Sequence, residues 1–423
     1  MLSDALTFDV FPACDSLAYY AKHAERMLRP EKKRLHGLLR FTKQLRIVHK
    51  PLGVVAVISP WNAPFILSMN PAVQALIAGN TVLLKPSEVA PFSGRLVADL
   101  FEAAGLPEGV LTVLLGDGET GAALVEARVD KISFTGSVAT GRKVAEVCAR
   151  RLVPCTLGLS GKDPMIVCDD ADLDAAAGGA IAGAFANTGQ CCCGTERVYV
   201  VEEVADAFTQ KVVERASHLR QGDHGEFDVG SLFCQRQLEV VEEHVRDAVA
   251  NGARVLVGGR RNPSFDGLYF EPTVLVDVTH EMKIMREETF GPVLPIMRVR
   301  DEEEAIARAN DTSYGLSANV WTRDNEKGFE IAQRIDSGSV CVNDMAVTYG
   351  VAEAPFGGRK HSGIGQINGE IGLKSFCVAQ SVVIDRFGGK RAAGTYPCSF
   401  EKDAGVEKLI RFLYETPLGR WLS

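Results

Sequence analysis

The sequence predicts an α/β protein built on parallel sheets, and three observations carry that prediction. Short apolar strands alternate with helical patterns from Pro51 onward, the 423 residues are enough for two or three cores, and no internal repeat or low-complexity segment interrupts the alternation. Strand–helix–strand alternation implies right-handed crossovers and sheets covered on both faces. Ligands of such sheets sit beyond the carboxyl ends of the strands.

In chain order, a β-prone run at 45–49 comes first. Strands are then expected over 53–58, 81–84, 110–115, 131–134 and 153–156, with helices over 64–78, 92–104, 120–126 and 137–150. A second α/β segment follows from Gly161 to Lys360. Its strands are expected over 165–167, 197–201, 270–276, 293–299 and 340–343, and its helices over 173–186, 204–219 and 302–309. Another β-prone run lies at 380–384. The tail from Gly388 is polar, then helical over 404–414, where Val406, Leu409, Ile410 and Leu413 form one stripe expected to pack on its own subunit or a neighbour.

Composition narrows the class. Charged residues are 24% and apolar residues 46%, which is ordinary for a globular chain. The net charge of −8, without a basic block, argues against nucleic acid as a partner. No apolar run reaches ~18 residues and no signal peptide is visible, so a cytoplasmic protein without a membrane span is expected. Eleven cysteines, an odd number without a framework, point to reduced thiols. Eight scattered histidines and no paired CxxC argue against a metal site.

Several motifs carry chemistry. Asn187-Thr188-Gly189-Gln190-Cys191-Cys192-Cys193-Gly194 places three thiols after a Gly-Gln turn. A thiol reacts as thiolate, so such a loop needs a reachable site that lowers its pKa. Pro60-Trp61-Asn62 ends the first strand; read plainly, Asn62 caps the next helix. Lys85-Pro86-Ser87-Glu88 follows the second strand; a lysine and a carboxylate there can grip a ribose, and read plainly they form a solvated turn. Phe134-Thr135-Gly136-Ser137 is strand, turn and helix start, where Gly136 lets a phosphate approach free N–H groups. Gly116-Asp117-Gly118-Glu119-Thr120-Gly121 satisfies GxGxxG, but it is the third strand's turn, whereas the dinucleotide fingerprint belongs at the first. Glu287-Glu288-Thr289-Phe290-Gly291-Pro292 and Pro355-Phe356-Gly357-Gly358-Arg359-Lys360-His361-Ser362-Gly363 complete the set, with His361 read as an exposed loop residue.

These motifs, in this order over 17–377, resemble the aldehyde dehydrogenase superfamily. The resemblance implies that family's fold: a Rossmann-like cofactor domain, a catalytic domain and a small β oligomerisation arm. It places residues 1–32 as a remaining helical part of the cofactor domain. The arm is 33–50 with 376–387, the cofactor domain 51–160 with 361–375, the catalytic domain 161–360, and the tail 388–423. It implies that Cys192 is the nucleophile and that Asn62, with the Cys192 N–H, forms the oxyanion hole. The implied cofactor set is Ser59, Trp61, Lys85, Ser87, Glu88, Gly118, Phe134, Gly136, Ser137, Glu288 and Phe290. Glu88 would repel a 2′-phosphate, which favours NAD over NADP. The implied partners are a small aldehyde and further copies of the chain, as a homodimer or homotetramer.

Two departures stand out. The resemblance enters part-way through the family's N-terminal region, near Tyr19-Tyr20-Ala21-Lys22, so part of the cofactor domain's cover is expected to be missing. The family's Glu-Leu-Gly-Gly-Lys appears as Gly158-Leu159-Ser160-Gly161-Lys162, so glycine stands where the family has its general base. A second family relay meets Pro71 and Gly365-Gln366-Ile367 at the matching places. Three readings follow: NAD(P)-dependent aldehyde oxidation through a cysteine thioester with slow hydrolysis, acyl transfer to coenzyme A, or a catalytically silent cofactor-binding or scaffold protein.

Overall fold

The structure, a computed structural model, describes residues 2–388 and 399–422. The chain forms two compact units, Met1–Ala24 with Leu52–Phe376, and Glu25–Pro51 with Cys377–Ser423.

The first unit holds two sheets. One has six strands in the order Gly363–Ile364, Cys155–Gly158, Lys131–Thr135, Val54–Ile58, Thr81–Lys85, Leu111–Val113. All neighbours are parallel except Gly363–Ile364, which runs antiparallel to Cys155–Gly158. Val55, Ala56, Leu84 and Ile132 are fully buried, the mark of strands covered on both faces. Val54–Ile58 comes first in the chain yet lies between Lys131–Thr135 and Thr81–Lys85. Strand order therefore reverses between Val54–Ile58 and Lys131–Thr135, and such a switch point opens a crevice at the carboxyl ends. Residues 59–62 and 136–137 leave the sheet at that crevice.

The other sheet has seven strands, ordered Arg254–Val257, Thr273–Val276, Val293–Val299, Arg197–Val201, Pro164–Val167, Asn319–Trp321, Cys341–Val342. Only Arg254–Val257 runs antiparallel to its neighbour. Helix Leu173–Phe185 starts on an Asp172 cap, whose carboxylate accepts from the N–H groups of Asp174 and Ala175 at 3.1 Å. Its small residues admit the Trp321 ring; a Cβ on Gly179 would lie 2.1 Å from that ring.

The second unit carries an antiparallel sheet of Glu31–Lys33, Lys43–Pro51 and Cys377–Asp385. Helix Phe400–Glu415 forms in the tail, but of its expected packing stripe only Leu413 is buried, while Val406, Leu409 and Ile410 stay exposed. Helices Gln235–Ala250 and Asn325–Arg334 and strands Arg254–Val257 and Asn319–Trp321 form without having been predicted. Both helices are rich in charge around narrow apolar stripes, and Asn319–Trp321 is too short to show a period. The strand expected over 270–276 shortens to Thr273–Val276, because Pro272 lacks a ladder donor.

Candidate active site

The cysteine loop follows helix Leu173–Phe185 through a turn whose backbone is left-handed at Asn187 (φ 49°) and Thr188 (φ 58°). Gly189 continues it at φ 73°, where a Cβ would strike the Gly291 carbonyl oxygen at 2.2 Å. The turn is tied down by its own side chains. Asn187 Nδ2 donates to the carbonyl oxygens of Asn62 (2.9 Å) and Gln190 (3.2 Å), and Gln190 Oε1 accepts from the Phe233 N–H at 2.9 Å. Asn62 Nδ2 also donates to the Gln190 carbonyl, at 3.2 Å. The structure thus brings Asn62 and the cysteine loop together, although they lie far apart in sequence. Helix capping is not Asn62's role. The N–H of Ile66, which opens the next helix, is held by Asp9 Oδ1 at 2.7 Å.

Two cavities meet at Cys192. A small one of about 40 Å³ runs past Leu67, Thr135, Gly158, Leu159, Cys192 and Tyr349. A larger cleft of about 740 Å³ holds Trp61, Asn62, Gln190, all three thiols and Tyr349. Cys192 is the thiol common to both. Its neighbours face each other: Cys191 Sγ and Cys193 Sγ are 3.7 Å apart, and Cys193 Sγ lies 3.5 Å from the Ala346 carbonyl. The neighbouring thiols and burial push Cys193 well up. A hydrogen bond from Cys193 holds Cys191 below its ordinary value despite burial. Burial also raises the phenol of Tyr349.

Behind the loop sits a buried ion pair. Lys162 Nζ donates to Glu196 Oε2 at 2.6 Å and to Thr289 Oγ1 at 3.1 Å. Glu196 also accepts from the N–H groups of Thr289 (3.1 Å) and Phe290 (2.8 Å). Burial outweighs the attraction of Glu196 and lowers Lys162. Glu288, on the same turn, accepts from the Gly161 N–H at 3.0 Å. Burial, helped by the Glu196 carboxylate, pushes Glu288 up to about 7. A Cβ on Gly161 would come within 3.0 Å of the Cys192 carbonyl oxygen, so glycine there lets the two turns close on each other. Phe290, at φ 50°, meets the Trp61 ring edge-on at 5.8 Å, and Trp61 stacks on Phe233 at 4.6 Å.

This frame matches the aldehyde dehydrogenase family model over residues 1–382. The chain belongs to the aldehyde dehydrogenase family. It is an oxidoreductase that oxidises aldehydes with NAD(P). The chain is 41% identical over 412 residues to a 4,4'-diapolycopene aldehyde oxidase of Methylomonas sp, covering 97% of this chain and 77% of that one. It is 44% identical over 372 residues to a putative succinate-semialdehyde dehydrogenase [NADP(+)] of Mycolicibacterium smegmatis, covering 87% and 71%. A Bacillus cereus aldehyde dehydrogenase in complex with NAD+ superposes with a TM-score of 0.84 at 35% identity, covering 89% of this chain and 76% of that one. A Mycobacterium tuberculosis aldehyde dehydrogenase complexed with NAD+ gives 0.85 at 36%, covering 92% and 80%.

In this aldehyde dehydrogenase most of the remaining motif residues follow the carboxyl ends of strands of the six-stranded sheet. Lys85 Nζ is buried and lies 3.3 Å from Glu88 Oε2, while the Glu88 carboxylate is half exposed. Ser87 is buried beside them. The Ser59 hydroxyl instead pairs with Ser68 Oγ at 2.7 Å. Ser137 caps helix Val138–Arg151 through its bond from the Thr140 N–H at 3.3 Å, and a Cβ on Gly136 would meet the Phe134 ring at 2.7 Å. The GxGxxG turn has a different economy: the Asp117 carboxylate caps helix Gly118–Glu126 through the Glu119 N–H at 3.0 Å, so an anion already occupies that terminus. Gly118 is open, with nothing within 4 Å of a built Cβ. His361 is exposed, 3.2 Å from Arg142 Nη2.

Sequence reasoning missed Tyr349, which lines both cavities, and Asp4, Ala5, Thr7, Phe8, Asp9, Phe11 and Pro12, which line the larger one. Neither carries a motif, and only the chain's return places them there. Among the described residues no helix is long and apolar enough to cross a membrane, and no group of three His, Cys, Asp or Glu side chains is set to hold a metal.

Proposed function

We propose that Cys192 is the nucleophile of this aldehyde dehydrogenase and that Asn62 and the Cys192 N–H form its oxyanion hole. The observation that carries this reading is Cys192's position where the two cavities meet, with Asn62 in the same cleft. The Asn62 amide has two N–H bonds, and its bond to the Gln190 carbonyl uses one. The Cys192 sulfur attacks the aldehyde carbon, and the developing oxyanion draws on those donors. Bound NAD(P) supplies the hydride acceptor. The acyl group then remains on Cys192 as a thioester, which water must cleave.

The half-exposed Glu88 carboxylate beside the Lys85 ammonium fits a ribose diol, which supports NAD over NADP. Ser87, Gly136 and Ser137 would lie along the cofactor, with Glu288 and Phe290 at its nicotinamide end. The named relatives divide on this point: one is an NADP(+) enzyme by name, and two solved neighbours hold NAD+. Cys377–Asp385 is an edge strand among the described residues, with Val378 and Val383 exposed, which supports assembly with further copies of the chain.

Cleavage of the thioester is the weak step. Among the described residues, no carboxylate and no imidazole lines the small cavity beside Gly158 and Cys192. That favours slow hydrolysis, or acyl transfer to an external thiol such as coenzyme A. The test is iodoacetamide mapping of the whole chain together with NADH release on mixing with NAD and an aldehyde. Alkylation of Cys192 that abolishes NADH release is expected. Labelling of Cys191 or Cys193 with Cys192 untouched would refute the assignment, and NAD binding without any NADH would point to a silent protein.

A further inference from the structure

We propose that this enzyme takes uncharged aldehydes with a long apolar tail and discriminates against aldehydes that carry a second carboxylate. The inference rests on the reading that the carbonyl carbon sits at Cys192, because it concerns the cleft in front of that thiol.

The cleft of about 740 Å³ lies within the range that buries a drug-sized ligand. Phe8, Phe11, Trp61, Ile66, Leu67 and Tyr349 are among its lining residues. Phe11 is 71% and Val347 43% exposed, so the cleft carries apolar surface in water that an apolar ligand would cover.

Its charge points the same way. Among the described residues, the charged ones that line it are Asp4, Asp9 and Asp344, with no lysine, arginine or histidine, and burial raises the carboxyls of Asp4 and Asp9. Asp9 is fixed there by the fold, because its carboxylate holds the Ile66 N–H at 2.7 Å. Asp344 is exposed and accepts from the Met345 N–H at 2.8 Å. A ligand carboxylate entering this cleft would lose water, meet no basic residue among those described and approach the exposed Asp344 carboxylate. Burying a charge without a partner is strongly unfavourable. An alkyl tail, in contrast, gains up to about fourfold in affinity for each buried methylene. Discrimination of this kind combines fit for one ligand with repulsion of another.

The experiment uses the whole purified chain with NAD. Decanal is compared with its ω-carboxylated analogue, and butanal, hexanal and octanal supply a length series. We expect kcat/KM for decanal to exceed that of the charged analogue by about tenfold or more. We expect kcat/KM to rise with each added methylene from butanal to octanal, and Asp344→Lys to narrow the gap between the charged and uncharged pair. Equal or better use of the carboxylated aldehyde would overturn the proposal. Binding of decanamide and of its ω-carboxylated analogue, read by intrinsic fluorescence, repeats the comparison without turnover. If no aldehyde yields NADH, the oxidation reading fails, and the amide pair still decides: tighter binding of decanamide upholds the inference, and equal or weaker binding overturns it.

Discussion

Replacing Gly158 by glutamate should convert a stalling enzyme into one that turns over steadily. Gly158 ends the strand Cys155–Gly158 and lines the small cavity with Cys192. A Cβ built on it meets only Thr135 Oγ1 at 3.5 Å and Cγ2 at 3.7 Å, ordinary van der Waals contacts. Its φ lies outside the left-handed region, so the backbone accepts a side chain without strain. The cavity of about 40 Å³ exceeds what one water needs, so a water and a carboxylate have a common place to meet. A carboxylate in this apolar lining would be desolvated and its pKa raised, which suits a base near neutrality. Its burial should cost about 1–3 kcal/mol of stability. A positioned base contributes typically ~10²–10⁴-fold. We therefore expect wild type to release at most one NADH per active site in a burst and then to stall, and Gly158→Glu to raise the steady rate by about 10²-fold or more. Stopped-flow NADH absorbance reads both phases, with circular dichroism as the check on folding. Fast steady turnover by wild type without an added thiol would refute the reasoning, because a base outside the small cavity, such as a carboxylate of the larger cleft, would then serve. A folded Gly158→Glu variant that still stalls would refute the placement of the water.

Other perturbations test the rest of the site. Glu88→Gln should weaken NAD and strengthen NADP, measured by titration of each; tighter NADP than NAD binding by wild type would remove Glu88 from the ribose site. Glu288 carries a carboxyl pushed from an ordinary value of 4.5 up to about 7, chiefly by burial. Its contribution to stability is thus fully present below 4.5 and lost as pH rises through about 7. If its ionised form holds the nicotinamide ribose, NAD affinity should increase as pH rises through about 7, and Glu288→Gln should flatten that dependence in a calorimetric series. Glu196→Gln should destabilise by roughly 3–5 kcal/mol in urea melts, because it strands a fully buried Lys162 ammonium. A loss below about 1 kcal/mol would mean that Lys162 is already neutral.

Much of the fold was legible because strands buried on both faces read as largely apolar runs. Arg197–Val201 and Val293–Val299 match their expected bounds for that reason. The cysteine loop, Asn62 and the Lys85–Glu88 pair were legible because chemistry demands particular atoms there, and the family keeps them in one order. Three-residue strands such as Asn319–Trp321 were not, since a period cannot be read from so few residues. The Glu196–Lys162 pair was equally hidden, because nothing local distinguishes a buried charge from a solvated one. The sequence by itself determined which groups are available, including the absence of a carboxylate at 158. Only the tertiary structure decided that Asp9 and Phe8 share a cleft with Cys192, that Gly158 opens on a cavity at the thiol, and that Asn62 is held to the loop rather than to its own helix. The physical reason is distance along the chain: side-chain chemistry is written residue by residue, whereas a cavity belongs to segments that meet only after the sheets have formed.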